Sequence, residues 1–245
     1  MKLAMALALV AITAFADEKK DETPRVFALF PIQLTAGEKT TLRLRGSKLK
    51  DATEVRVAPE AQATLKEKKD VGVPNGLEAK DVGDNEVAIE LTPPEDCGKL
   101  SVEIVTPGGV TKSREVSVFP KEALVAEKEP NNGFREAQLI EPGKPLRGKI
   151  DADKDVDVFR FDVNAGKALT ARVIAADAGS LLDPIISLFD TAGHLLATDD
   201  DTSGHRDPVL TFTPTTDGPL CLVVNDAHDR GGPWHEYRLE IKQEP

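Results

Sequence analysis

Apolar side chains recur at every second position along much of this 245-residue chain, and no stretch beyond residue 16 keeps a helical period for long. Residues 41–45 (TLRLR) and 87–91 (VAIEL) put apolar groups on one side and polar groups on the other. Successive side chains of a β-strand point to opposite faces of the sheet, so this alternation predicts strands with one buried face. Glycines such as Gly37, Gly46 and Gly83 separate the segments and supply turns. The pattern predicts an all-β fold.

The first half of the chain contains a regular series of these segments. Short strands at this spacing over about 100 residues predict an immunoglobulin-like β-sandwich, which we assign to residues 24–120. Residues 67–84 are charged and contain glycine, so we expect a long loop there. The predicted strands are 26–30, 40–45, 54–57, 61–66, 86–92, 100–106 and 114–119.

A second series follows and predicts a second sandwich of jelly-roll type over residues 129–243. Residues 121–128 between the two series are charged and lack a strong apolar pattern, which indicates a short linker. The fold class is therefore two β-sandwich domains, immunoglobulin-like followed by jelly-roll-like. The predicted strands of the second series are 146–150, 156–163, 169–175, 184–189, 194–198, 209–213, 220–224 and 236–241.

The first sixteen residues have the layout of a signal peptide. Lys2 precedes an apolar run over residues 3–12, and Ala14-Phe15-Ala16 provides a small-x-small cleavage site before a charged segment. The apolar run is too short to span a bilayer. We therefore expect residues 1–16 to be removed on export, and the mature protein to be secreted, either to the periplasm or out of the cell, without a membrane span.

Net charge and cysteine usage restrict partners and redox chemistry. The formal net charge of −11 argues against a nucleic-acid partner, because binding to a phosphate backbone needs a basic surface. Cys97 and Cys221 are the two cysteines, one in each half of the chain. An exported protein could oxidise them to a disulfide, but each stands beside a strand-like apolar run, which favours two separate thiols.

The surplus of acidic residues lies in the second half, mainly as aspartate. Residues 127–245 contain 15 Asp and 7 Glu against 13 basic residues. Glu127, Glu129 and Asn131 alternate along an extended segment and so point the same way, while Asp155 and Asp157 share one parity some twenty residues later. Ca²⁺ takes six to eight hard oxygen ligands, which this set could provide. A solvated linker beside an acidic turn fits the spacing equally well.

A second acidic cluster, Asp199-Asp200-Asp201, follows a predicted strand. It lacks the glycine and terminal glutamate of an EF-hand loop. Arg206 provides a nearby counter-charge, so we expect an exposed acidic turn here.

An ordered set of short motifs runs through residues 127–245. In chain order they are Glu129-Pro130-Asn131-Asn132, Gly148-Lys149-Ile150, residues 155–161 (DVDVFRF), Asn164-Ala165-Gly166, Leu182-Asp183-Pro184, residues 189–193 (FDTAG), Asp199-Asp200 and Tyr237-Arg238-Leu239. This order resembles the bacterial pre-peptidase C-terminal domain, a β-sandwich module of secreted peptidases and other exported proteins. Related collagen-binding domains bind calcium through an acidic linker segment. The resemblance implies a structural Ca²⁺ held by Glu127, Glu129, Asn131, Asn132, Asp155 and Asp157.

The first half is similar, at a greater distance, to an IPT/TIG-type immunoglobulin-like domain. The similarity is carried by the order of Pro31, Gly37, Leu42, Gly46, Leu49 and Thr106-Pro107-Gly108-Gly109. It implies a spacer or an interaction module.

No catalytic motif is present in the sequence, which has neither a Gly-x-Ser-x-Gly elbow nor a His-Glu-x-x-His pair. Asp201, Ser203 and His205 lie too close together in one turn to align as acid, nucleophile and base. We therefore expect no enzyme and no catalytic residue. The expected function is that of a secreted binding or spacer protein, whose partner is an unknown protein or extracellular polymer. The alternatives are an accessory or inhibitory component of a secreted peptidase system, and a small hydrolase with an unrecognised site.

Overall fold

The computed structural model describes residues 23–202 and 204–245. The predicted signal peptide, residues 1–16, lies outside the described residues. The described chain is nearly all β, as predicted, and contains one short α-helix, α1 (Ala79–Val82), and one 3-10 turn (Ala176–Ala178). None of the helices in these ranges is long and apolar enough to cross a membrane.

Two sheets form the first sandwich. Its strands are β1 (Arg25–Phe30), β2 (Gln33–Thr35), β3 (Thr40–Ser47), β4 (Glu54–Ala58), β5 (Gln62–Asp70), β6 (Asn85–Thr92), β7 (Lys99–Thr106), β8 (Gly109–Val110) and β9 (Arg114–Phe119). One sheet has the order β1-β3-β6-β5 and is antiparallel. The other has the order β2-β9-β7-β4, with β8 beside β7, and its β2–β9 pair is parallel.

Two further sheets form the second sandwich. Its strands are β10 (Val125–Ala126), β11 (Gln138–Leu139), β12 (Leu146–Lys149), β13 (Val156–Val163), β14 (Leu169–Ile174), β15 (Pro184–Phe189), β16 (Leu195–Asp199), β17 (Val209–Phe212), β18 (Gly218–Asp226) and β19 (Glu236–Gln243). The sheet orders are β10-β12-β19-β14-β17 and β11-β13-β18-β15-β16. The short edge strands β10 and β11 pair in parallel with β12 and β13, and the remaining pairs are antiparallel.

Each sandwich encloses its own hydrophobic cluster. In the first, Leu44 of one sheet and Ile104 of the other are both fully buried. In the second, Phe159 and Tyr237 come from opposite sheets and are likewise buried. The alternating pattern of the strands produces these cores, because the apolar parity of each strand faces the partner sheet.

Buried polar contacts join the two sandwiches. The backbone N–H of Ile32 donates to Glu236 Oε2 at 2.6 Å, and the Gln33 side-chain amide donates to the Tyr237 carbonyl oxygen at 3.3 Å. Arg147 Nη2 donates in return to the Gln33 carbonyl oxygen at 2.9 Å. The last strand of the second sandwich therefore lies directly against the region around β2.

The structure differs from the sequence prediction at several short segments. Residues 67–84 are not one loop: β5 continues to Asp70 and α1 occupies 79–82. The charged end of β5 is a strand because Lys69 reaches Glu86 across the β5–β6 pair, at 3.3 Å, and such cross-strand pairs stabilise an exposed strand face. Within the predicted linker, residues 125 and 126 form β10. Cys97 and Cys221 are separate thiols, and burial raises the pKa of each.

Candidate metal centre

Three strands converge at one end of the second core and bring acidic side chains together. Glu127 follows β10, and its backbone N–H extends the pairing with β12 by donating to the Arg147 carbonyl oxygen at 3.0 Å. Asp157 is the second residue of β13, in the opposite sheet. Tyr237 lies in β19, paired with Gly148 of β12. A carboxylate from each sheet therefore faces the other at the end of the sandwich.

The resulting cluster consists of Glu127, Glu129 and Asp157. One carboxylate oxygen from each lies within 4.8 Å of the other two. The three differ in exposure: Asp157 is fully buried, Glu127 is half-buried and Glu129 is exposed. The cluster is thus open to solvent on the Glu129 side and closed on the Asp157 side.

Hydrogen bonds hold the two inner carboxylates from several directions. The Tyr237 hydroxyl donates to Asp157 Oδ2 at 2.6 Å and is 3.3 Å from Glu127 Oε1. Glu127 also accepts from the Lys149 backbone N–H at 2.7 Å and from Asn131 Nδ2 at 2.9 Å. Asp157 Oδ1 is buried without a hydrogen-bond partner among the described residues. A buried carboxylate oxygen without a donor is costly, so it marks a position where a further group would be stabilising.

The electrostatics of the cluster are dominated by burial and like charge. Burial and the adjacent Glu127 carboxylate raise the pKa of Asp157 to about 10. Burial also raises the pKa of Glu127, and that of Glu129, to which Asp155 and Asp151 add further negative charge. The largest charge effects on Glu129 come from carboxylates. Among the described residues, the ion pair found beside the cluster joins Lys149 to Asp151 rather than to Glu127, Glu129 or Asp157.

The other predicted ligands occupy different positions around the cluster. Asn131 is fully buried, and its side-chain amide and backbone N–H donate to Glu127 and Glu129, so it orients both carboxylates. Asp155 accepts the backbone N–H groups of Asp151, at 2.7 Å, and Val156, at 3.0 Å. Asp155 is thus adjacent to the cluster and already accepts two hydrogen bonds.

Asn132 lies between Glu129 and Asp155. One terminal atom of its side-chain amide is 3.3 Å from both Glu129 Oε2 and Asp155 Oδ1. If this atom is the nitrogen, it donates to both carboxylates. Each of these two carboxylate oxygens also accepts a backbone N–H, from Asn131 and from Val156, so donation by the Asn132 nitrogen links Glu129 to Asp155.

The second acidic cluster serves the local fold. Asp199 Oδ2 accepts from the Thr202 hydroxyl and the Val209 backbone N–H, each at 2.8 Å. Asp200 accepts from the backbone N–H of Asp201 at 2.9 Å. The expectation of an acidic turn agrees with these contacts.

Sequence reasoning did not include Tyr237 in the site, although this side chain contacts both inner carboxylates. Gly148 leaves room for the Tyr237 ring, because a Cβ at position 148 would collide with it. The tyrosine therefore passes over β12 to reach Glu127. The signal available in the sequence was a glycine inside a predicted strand together with the chain's one tyrosine.

The oxygen-only donor set fits a hard divalent cation such as Ca²⁺. Three carboxylates at different depths and a buried carboxylate oxygen without a donor are the features that such an ion would satisfy. Nitrogen or sulfur ligands, which zinc prefers, do not take part in this cluster.

Comparison with known proteins gives a family match within the second sandwich. Residues 155–225 match the family model of the bacterial pre-peptidase C-terminal domain, which confirms the resemblance inferred from the motifs. The match includes Asp155 and Asp157 and begins after Glu127, Glu129 and the two asparagines. No curated protein sequence matches the chain.

Several solved structures match parts of this chain at low identity and low TM-score. The pre-peptidase C-terminal domain of a Bacillus anthracis collagenase is 17% identical, with a TM-score of 0.37 over 47% of this chain and 100% of that domain. The Aeromonas hydrophila PliG, a periplasmic inhibitor of g-type lysozyme, is 15% identical, with a TM-score of 0.34 over 50% of this chain and 96% of the inhibitor. The SGBP-B protein of a Bacteroides ovatus mixed-linkage glucan utilization locus is 11% identical, with a TM-score of 0.27, and 89% of this chain and 74% of that one are covered.

Proposed function

We propose that this protein is a non-catalytic binding or spacer protein that acts outside the cytoplasm and holds one structural Ca²⁺ in its second sandwich. The observation that carries the proposal is the buried Asp157 Oδ1, which has no donor among the described residues, in a carboxyl group that clusters with those of Glu127 and Glu129. A divalent cation would neutralise these charges and satisfy that oxygen.

Glu127, Glu129 and Asp157 would hold the ion, with Asn131 orienting two of these carboxylates. Asn132 and Asp155 lie beside these ligands, and each would contribute an oxygen only if its present hydrogen bonds rearranged on binding. Ca²⁺ supplies only charge neutralisation and a link between strands here. It would join the segment after β10 to β13, and so couple the two sheets of the second sandwich.

The proposed ion would also affect how the two sandwiches are oriented. Tyr237 contacts the carboxylates with its hydroxyl and accepts a hydrogen bond from Gln33 of the first sandwich with its carbonyl oxygen. Its neighbour Glu236 accepts the Ile32 N–H at 2.6 Å. Fixing Tyr237 from the carboxylate side therefore restrains the same strand that contacts the first sandwich, as a spacer of defined shape requires.

The contacts of His205 support the non-catalytic part of the proposal. His205 is the histidine of the Asp201, Ser203 and His205 set considered as a triad from the sequence. His205 Nδ1 is 2.8 Å from Asp177 Oδ2 in an exposed pair, so its imidazole is engaged away from Asp201. The extracytoplasmic location is supported by the signal-peptide layout of residues 1–16 and by the match to a pre-peptidase C-terminal domain.

Calcium-dependent stability tests the metal site. After EDTA treatment, calcium at a hundredfold excess over the Kd should add about 2.7 kcal/mol to the free energy of unfolding. The Glu129→Gln variant should lose most of this gain, whereas the control Asp200→Asn, in the exposed acidic turn, should keep it. An unchanged melting temperature on adding calcium to the wild-type protein would contradict the proposal.

A further inference from the structure

A cavity of about 600 Å³ lies between the two sandwiches, away from the carboxylate cluster. Its wall is partly apolar, with Phe27 and Leu77 from the first sandwich and Leu181 from the second. The volume lies within the range of about 300–1,000 Å³ that is typical of small-molecule sites. The cavity therefore has room for an organic ligand.

Three arginines line this cavity from different parts of the chain. Arg114 begins β9, Arg206 precedes β17, and Arg230 lies in the loop before β19. Within residues 23–202 and 204–245, none of the three forms an ion pair with a carboxylate. Arg230 Nη2 donates to the Gly76 carbonyl oxygen, at a long 3.3 Å. Three arginines thus line one space while their capacity for charge-assisted hydrogen bonds is largely unused.

Arg114 is the innermost of these arginines. It is half-buried, its Nη2 lies beside Gly179 of the second sandwich, and burial alone lowers the pKa of its guanidinium. A partly buried cation that no carboxylate offsets is unfavourable unless another anion pairs with it.

The acidic residues of the cavity do not supply that anion. Asp183 Oδ2 lies 3.6 Å from His228 Nδ1, Asp81 is exposed on α1, and among the described residues neither forms an ion pair with one of the three arginines. Three arginines against two aspartates leave the lining with a net positive charge inside a protein whose net charge is −11. The overall field repels anions, so any anion binding here would come from local contacts.

We propose that this cavity binds an organic oxyanion, a carboxylate or a phosphate ester, with its charged group on the three arginines and its apolar part against Phe27, Leu77 and Leu181. The guanidinium fork matches the geometry of either oxyanion. The site uses none of the carboxylates of the metal centre, so it does not depend on the proposed Ca²⁺.

The test is an NMR titration of the full chain with four probes. Benzoate and phenyl phosphate carry the two oxyanions on an aromatic ring, inorganic phosphate lacks the ring, and benzyl alcohol lacks the charge. We expect saturable shifts of backbone amides near residues 176–183 and 228–231 with benzoate or phenyl phosphate, and weaker binding of the other two probes. The better of the two aromatic anions identifies the oxyanion.

Substitutions assign the binding to the arginines. Arg114→Gln and the exposed Arg206→Gln should each weaken binding about tenfold, the effect of losing one charge-assisted hydrogen bond. Arg172→Gln, an exposed arginine in β14 outside the cavity, should leave the Kd unchanged. The proposal is overturned if neither aromatic anion gives saturable shifts, if benzyl alcohol binds as tightly as benzoate, or if all three variants weaken binding equally.

Discussion

Replacing Asp157 by asparagine should have opposite effects on the protein without calcium and on the protein with calcium. The substitution keeps the shape of the side chain but removes its charge. Without the ion, that charge would lie buried beside the Glu127 carboxylate, and with a pKa of about 10 the folded carboxyl is therefore protonated at pH 7. With the ion, the same charge would be a ligand. The variant therefore separates two effects: the stability that the calcium-free protein loses by burying this carboxyl, and the contribution of the carboxylate to calcium binding.

The magnitude follows from the shifted pKa of Asp157. Folding raises this pKa from 3.8 to about 10, so the folded state binds the proton more tightly than the unfolded state. Stability is thus lost as the pH rises above 3.8, and at pH 7 the loss amounts to about 4 kcal/mol. Asparagine avoids this loss, but one of its amide hydrogens stays unpaired at a cost of about 2 kcal/mol. We expect a net gain of about 2 kcal/mol for the calcium-free protein.

Urea denaturation at pH 7, followed by the fluorescence of Trp234, measures both effects. This tryptophan is buried and has the Arg43 guanidinium 4.9 Å from its ring centre, so unfolding changes its surroundings. In EDTA the Asp157→Asn variant should be more stable than the wild type. With calcium at a hundredfold excess over the Kd, the wild type should gain about 2.7 kcal/mol and the variant little. Asp162→Asn, an exposed residue on the same strand, is the matched control.

Two results would refute this reasoning separately. If the variant is less stable than the wild type in EDTA, the buried Asp157 charge is not a cost, and the electrostatic account of the cluster is wrong. If the variant keeps the calcium-dependent gain, Asp157 is not a ligand, whatever its charge costs.

Three further predictions concern the same region. In EDTA, the stability advantage of Asp157→Asn over the wild type should shrink by about 1.4 kcal/mol for each unit of pH decrease between pH 8 and 5. The wild-type carboxyl takes up one proton on folding throughout this range, and that uptake costs less free energy at lower pH; urea denaturation measures it. Gly148→Ala should cost about 2 kcal/mol, since its Cβ would collide with the Tyr237 ring, whereas Gly98→Ala meets no neighbour within 4 Å; thermal unfolding compares the two. Glu236→Gln should cost about 3 kcal/mol in urea denaturation, because it breaks a buried charged contact between the sandwiches.

The sequence was sufficient for the all-β class because strand alternation is a local property. Strands such as β6, β7 and β13 were predicted to within a residue at each end, since most of their inward positions are apolar. The edge strands β2, β8, β10 and β11 were not predicted. Each has only two or three residues, too few to show a period. The end of β5 was missed for another reason: its residues are charged, and what makes it a strand is its pairing with β6.

The candidate site was accessible to sequence reasoning only in part. Alternate residues of an extended segment point the same way, and this predicted that Glu127 and Glu129 share one side and that Asp155 and Asp157 share another. It could not give the distance between the two segments. The structure brings Asp157 into the cluster with the two glutamates, and Asp155 instead accepts two backbone N–H groups. Tyr237 is some 80 residues beyond Asp157 along the chain. Its role depends on strand order, which no local pattern encodes.

The adjacent positions of Glu236 and Tyr237 in β19 make the pairing register of this strand critical. Successive side chains of a strand point to opposite faces, so one of these residues contacts the first sandwich while the other contacts the carboxylates. A slip of one residue against β12 would turn the tyrosine outward and the glutamate inward, towards three other acids. Such a slip would break the junction between the sandwiches and the carboxylate cluster at once. The pairing of Gly148 with Tyr237 thus helps to specify the register of β19 against β12, because a shifted register would lose favourable contacts on both faces of the strand.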